Sequence, residues 1–235
     1  FFISIFLIFT MCFYITTPVF SEETTYVWSP NNNSLNDSTN DNSSQVKETN
    51  SEVDESNSLS LESGSAILIE QTTGQVLYSH NAHEQLRPAS VTKVMSILLI
   101  MEALDSNKIS LTDSVPCSEN AASMGGSQIW LDPRETLTVD EMLKAICVNS
   151  ANDCVVAMSE FIAGSEEAFV QLMNDKAKEL GMNDTCFKNC HGLDEDGHVT
   201  SAYDISLMSR ELLNNHPSVT NYTTIWTDTL RNRKI

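Results

Sequence analysis

The sequence predicts a mixed α+β fold, and three observations carry that prediction. Two apolar, strand-like runs, Ser65–Glu70 and Gln75–Ser79, open the part of the chain that reads as folded. The segment Thr223–Leu230, near its end, alternates with the period of a strand. Between them lies a block of helical patterning with capping signals. Strands at both ends of a helical block imply an antiparallel sheet completed by distant parts of the chain and covered by helices.

The 235-residue chain opens on Phe1–Phe20, an uncharged apolar run interrupted by Thr10, Thr16, Thr17 and Pro18. It has neither an initiator Met nor the basic residues that precede an export signal, so residues 1–21 read as a secretory signal truncated at its start. Val19 and Ser21 occupy the small-residue positions of a cleavage site after Ser21. An uncleaved membrane anchor is the alternative, and either reading places the rest outside the cytoplasm. Residues 22–62 carry Glu22, Glu23, Asp37, Asp41, Glu48, Glu52, Asp54, Glu55 and Glu62 against the single base Lys47, among many Asn, Ser and Thr. Such a segment cannot bury enough apolar surface to offset the entropy of ordering, and it reads as a disordered acidic linker. The whole chain has a formal net charge of −19, which argues against binding nucleic acid through its phosphates.

The folded region is expected over 63–235. Gln71-Thr72-Thr73-Gly74 joins the first two runs as a hairpin. Asn81–Arg87 is a polar loop, and Pro88 rigidifies the approach to a helix beginning near Ser90. That helix is apolar on nearly every side, from Val91 through Val94, Met95, Ile97, Leu98, Leu99, Ile100 and Met101 to Leu104, and so belongs inside the domain. Asp105-Ser106-Asn107 ends it. After a less regular stretch with a flexible corner at Gly125-Gly126-Ser127, Thr138-Val139-Asp140-Glu141 fits a capping box for a helix ending at Asn149. Further helices are predicted from about Asp153 to Ile162, closed by Gly164, from Ser165 to Gly181, and from Ser201 to Asn215. Thr185-Cys186-Phe187 is extended.

Six cysteines become five once the signal is removed, an odd number that argues against a full disulfide framework. Cys147 and Cys154 read as small core residues. Cys186 and Cys190, followed by His191, are better matched to a local disulfide than to a zinc site, since no second ligand pair accompanies them.

The chemistry concentrates at the mouth of the apolar helix. Ser90 and Lys93 are three apart and share one face. A serine hydroxyl is a poor nucleophile that a neutral lysine amine can activate, and burial against an apolar helix lowers a lysine pKa. Backbone N–H groups at the helix start suit a developing oxyanion. About sixty residues on, Ser150-Ala151-Asn152 forms a turn between two helices, where a hydroxyl and an amide can face a cleft. The plainer alternative is that Ser150 caps the following helix.

Ser90-Val91-Thr92-Lys93 followed by Ser150-Ala151-Asn152 resembles the motif series of the serine penicillin-recognising enzymes. With Pro88-Ala89, Gly125-Gly126-Ser127, Met173-Asn174, Leu180-Gly181-Met182, His191-Gly192-Leu193 and Gly197-His198, the chain from about Ser65 to Lys234 is similar to the low-molecular-mass penicillin-binding proteins, the serine D-alanyl-D-alanine carboxypeptidases of peptidase family S11. The resemblance implies a β-lactamase/transpeptidase-like fold with the serine on a central helix. It implies an exported enzyme that removes the terminal D-alanine of a peptidoglycan pentapeptide and is acylated by β-lactam antibiotics, without cofactor or metal. Ser90 would form the acyl-enzyme, Lys93 accept its proton, Ser150 relay a proton to the leaving D-alanine and Asn152 hold the substrate peptide. The counterparts of His198 and Asp204 lie near the site, and a structural role suits His198.

Two departures stand out. Arg134 occupies a place where the family has glycine, a change confined to a loop. The family's Lys-Thr-Gly motif, whose lysine binds the substrate carboxylate, is absent, and Lys234-Ile235 does not replace it. The sequence therefore reads as truncated at both ends, with the sheet incomplete, little turnover expected of the fragment alone, and any membrane-surface contact belonging to a missing C-terminal region. A β-lactamase is the near alternative, although Glu211 and Asn215 fall in a predicted helix rather than a deacylation loop. A non-catalytic penicillin-sensing or wall-binding module is the alternative of a different class.

Overall fold

The computed structural model describes residues 61–231 and 233–234, so the expectations for residues 1–21 and most of the linker lie outside them. In chain order the elements are Ala66–Ile69 (β1), Val76–His80 (β2), a 3-10 turn Ala89–Thr92, Lys93–Asp105 (α1), Ser114–Pro116 (β3), Glu119–Ala122 (α2), Thr136–Thr138 (β4), Val139–Asn149 (α3), Asn152–Ala163 (α4), Glu166–Glu179 (α5), Ala202–Asn215 (α6), Thr220–Thr223 (α7), Thr229–Leu230 (β5) and Arg233–Lys234 (β6).

The hairpin forms where predicted, antiparallel, with Ala66 opposite His80 and Leu68 opposite Tyr78. Its turn is closed by Glu70, whose carboxylate accepts from Thr72 N at 3.0 Å and from Thr73 N and Oγ1 at 2.5 and 2.6 Å. These donors favour the ionised form and hold Glu70 at a pKa of about 2. Arg210 of α6 donates to the Gln71 and Thr72 carbonyls at 2.8 and 2.7 Å, fastening the hairpin to that helix.

Helix α1 is buried on almost every side, as its composition requires: Met95, Leu98 and Ile100 are fully enclosed, with α4, α5 and α6 packed around it. Burying each such side chain contributes about 1.5–3 kcal/mol, so the helix position is fixed by packing rather than by propensity. Val91 departs from the expectation, being 40% exposed, because it sits on the 3-10 turn before the helix enters the core. The capping box is present, with Thr138 Oγ1 accepting from Glu141 N at 3.2 Å and Glu141 Oε2 accepting from Thr138 N at 2.8 Å. Helix α4 closes at Gly164 in the left-handed region, and α5 and α6 open on the N-caps Ser165 and Ser201.

Two expectations are corrected. Thr223–Leu230 is not a continuous strand: Pro217 opens a 3-10 turn that runs into α7, and only Thr229–Leu230 pairs, with Arg233–Lys234. Tyr222 is buried and donates to Asp140 at 2.8 Å, and Ile225 follows three residues on, so the apolar spacing is helical at that point. The antiparallel pairing accordingly occurs in three two-stranded pieces, and among the described residues the first and last strands do not join. Second, Cys186 and Cys190 are free thiols. Cys186 pairs through its backbone with Val199, while Cys190 points its thiol at Glu166, 3.3 Å away. Burial raises the Cys190 thiol well above its ordinary range.

Candidate active site

The 3-10 turn delivers Ser90 to the surface while Lys93, one turn later, is only 3% exposed. Lys93 Nζ lies 3.2 Å from Ser90 Oγ and 2.7 Å from the His191 carbonyl oxygen, to which it donates. Among the described residues no carboxylate bonds the amine, and desolvation lowers its pKa to about 8. At pH 7 roughly a tenth of the lysine is then neutral, with one N–H engaged by His191 and a lone pair available to the serine O–H. Ala89 holds φ +47, a left-handed conformation costing about 1–3 kcal/mol in a non-glycine residue, and it sets the direction from which Ser90 is presented.

The wall facing this pair is His191-Gly192-Leu193. Gly192 has φ +92, and a Cβ there would lie 1.9 Å from the Ala89 carbonyl oxygen. Gly192→Ala is therefore expected to destabilise the protein by about 2 kcal/mol or more, through strain and a backbone clash, and to slow any reaction at Ser90. Thermal melts beside acylation rates check this. His198 sits behind the turn: its Nδ1 accepts from Lys188 N at 2.9 Å, which leaves the proton on Nε2, donated to Thr92 Oγ1 at 2.8 Å. The ring is neutral and braces the turn, as the sequence suggested. Asp204 likewise faces inward, accepting from Asp184 N and Thr185 Oγ1 at 2.8 and 2.7 Å.

His191 is 7% exposed, and burial plus the nearby Lys93 lower its pKa to about 4. The unfolded chain binds that proton near 6.5, so this contribution to stability is whole above pH 6.5 and is lost as the pH falls toward 4. The stability difference between the wild type and His191→Asn should narrow across that window in pH-dependent melts; a constant difference would contradict the assignment.

Ser150 ends α3 in the left-handed region, φ 56 and ψ 37. It does not cap the next helix, whose N-cap is Ala151 without a side-chain bond. The structure does not join Ser150 to Ser90 or Lys93 by a hydrogen bond. Asn152 is 3% exposed; its Nδ2 donates to Gly125 O at 2.8 Å and its backbone N to Ser127 O at 2.7 Å. Its Oδ1 is a buried acceptor without a partner among the described residues. A Cβ on Gly126 would meet Asn152 Nδ2 at 2.8 Å and Leu193 Cδ2 at 3.5 Å, so this corner touches both the Asn152 amide and the wall facing Ser90. Beside it the buried Asp153 accepts from Ile129 N through its two oxygens at 3.3 and 3.2 Å, from Leu131 N at 3.0 Å and from Cys154 N at 2.9 Å.

Sequence reasoning singled out Ser90, Lys93, Ser150 and Asn152 through their side chains, and of these the structure joins Ser90 and Lys93; that reasoning gave no role to the His191 carbonyl or to Asp153. The signal available was His191-Gly192, a glycine next to the motif region. Glu211 and Asn215 bond one another at 2.8 Å along α6, in a helix as predicted.

This fold and motif set place the chain in the class of the penicillin-binding proteins. Penicillin binding protein 6B from Escherichia coli is similar with a TM-score of 0.70 at 33% identity, covering 73% of this chain and 56% of that one. Penicillin-binding protein D2 from Listeria monocytogenes, solved in an ampicillin-bound form, is similar with a TM-score of 0.66 at 29% identity, covering 76% and 72%. Within that class the chain belongs to the D-alanyl-D-alanine carboxypeptidase family, peptidase S11, whose family model matches residues 48–235. The D-alanyl-D-alanine carboxypeptidase DacF of Bacillus subtilis is 58% identical over 173 residues, 74% of this chain and 44% of that protein. The chain thus spans less than half the length of these curated relatives, 44% of DacF and 41% of the carboxypeptidase DacC of Escherichia coli.

Proposed function

We propose that the protein is a serine carboxypeptidase that removes the terminal D-alanine from peptidoglycan stem peptides. The observation that carries this reading is the buried, desolvated Lys93 amine 3.2 Å from the exposed Ser90 hydroxyl. Lys93 takes the Ser90 proton as Oγ attacks the carbonyl carbon of the penultimate D-alanine. The C–N bond then breaks, a proton passes to the leaving D-alanine amine by way of Ser150, and water hydrolyses the serine ester. The backbone N–H at the start of the turn stabilises the oxyanion, and the free Asn152 Oδ1 accepts a peptide N–H of the substrate. β-Lactams would acylate Ser90 by the same attack, with the lactam amide as the bond broken; the ampicillin-bound relative supports that partner. Residues 1–21 as signal, 22–62 as linker and 63–235 as the N-terminal part of the catalytic domain give an extracytoplasmic enzyme of the cell wall.

The test is incubation of the full-length protein with an acyl-D-alanyl-D-alanine peptide and, separately, a chromogenic cephalosporin. Steady D-alanine release with slow cephalosporin turnover is expected. Rapid cephalosporin hydrolysis would favour a β-lactamase. Penicillin binding that survives Lys93→Ala unchanged would favour a non-catalytic module.

A further inference from the structure

The turn Cys190–Gly192 lies along the first turns of α1 and is fastened to that helix and to the 3-10 turn before it at three points. Ser96 Oγ donates to the Cys190 carbonyl at 2.6 Å, Lys93 Nζ donates to the His191 carbonyl at 2.7 Å, and Gly192 packs on the Ala89 carbonyl. A fourth contact comes from another element. Glu166, the first residue of α5, reaches across so that Oε1 accepts from Cys190 N at 3.2 Å and from Cys190 Sγ at 3.3 Å. Its side chain is 19% exposed, so water would replace these contacts poorly.

The consequence lies at the amine. A neutral lysine has two N–H bonds and one lone pair, and the lone pair faces the serine O–H when an N–H is anchored elsewhere. That anchor is the His191 carbonyl. Glu166 fixes the peptide entering the turn and Ser96 the carbonyl that follows, so together they set where His191 O is presented. We propose that Glu166 is a positioning residue for acylation, holding through the Cys190–Gly192 turn the carbonyl that orients Lys93 toward Ser90. This inference rests on the reading of Ser90 and Lys93 as nucleophile and base. Glu166 acts as a hydrogen-bond acceptor at fixed reach, and the neighbouring His191, Nε2 at 3.5 Å, offers it no charge near neutral pH.

Reach and charge are separated by two substitutions. Glu166→Gln keeps the acceptor in place and removes the charge. Glu166→Asp keeps the charge, suits the first turn of a helix, and is one methylene too short for Cys190 N. The measurement is the second-order rate of acylation of the full-length protein by a fluorescent penicillin, each variant assayed below its own melting temperature. Glu166→Gln should acylate within about twofold of wild type, and Glu166→Asp about 10- to 100-fold more slowly, since misplacing a reacting group by about an ångström has that effect. A role in stability alone would lower the melting temperature and leave the rate of the folded protein unchanged. Glu166→Asp at the wild-type rate, or the reverse order of the two variants, overturns the inference. Failure of the wild type itself to acylate would overturn the Ser90–Lys93 reading instead.

Discussion

Replacing Ser90 by alanine is expected to abolish covalent labelling of the full-length protein by a fluorescent penicillin. The hydroxyl, the nucleophile of the proposed mechanism, is exposed and is presented on a 3-10 turn whose left-handed Ala89 is held against Gly192. The substitution removes an oxygen from an exposed position, and with it the contact to Lys93 Nζ but no apolar packing, so the fold should be retained while acylation falls to background. Denaturing gel fluorescence reads the label and circular dichroism the fold. Label retained by Ser90→Ala would mean that another side chain is the nucleophile.

The second large effect is expected at Lys93. Lys93→Ala should slow acylation by about 10²- to 10⁴-fold, the range that a positioned general base supplies. The wild-type rate should rise with pH and level off above about 8, because desolvation sets the Lys93 pKa there and the neutral amine is the competent form. The sign is diagnostic: a lysine acting through its positive charge would give a rate that falls above the same pH. Lys93→Arg should not restore activity, since a guanidinium stays protonated and cannot accept the serine proton. Lys93→Ala also leaves the His191 carbonyl without its donor, so part of the loss will appear as a lower melting temperature.

Much of this architecture was legible in the residues because it depends on side-chain pattern. The all-apolar run after Pro88 could only be an interior helix, and Ser90 and Lys93, three apart at its mouth, had to share a face. The Thr138–Glu141 box, Gly164 and Ser165 marked helix ends that depend on specific cap chemistry. What was not legible depends on backbone atoms and on tertiary reach. The acceptor that orients Lys93 is a carbonyl 98 residues away in sequence, and any residue type could supply it. Asn152 is held by the carbonyl of Gly125, and Asp153 collects three amides, contacts that only the folded loop brings together. The misread strand before Leu230 and the Cys186–Cys190 pair were local patterns whose partners, Asp140 for Tyr222 and Glu166 for Cys190, lie on other helices.

Membership of the carboxypeptidase family and the placing of Lys93 beside Ser90 both bear on the proposed covalent step, the acylation of Ser90. The most direct measurement is mass spectrometry of the full-length protein after a brief incubation with benzylpenicillin, followed by proteolysis and location of the adduct. The account predicts one penicilloyl group per protein, carried on the peptide containing Ser90. An adduct on Ser150, or no covalent adduct under conditions where the wild type is folded, would contradict it.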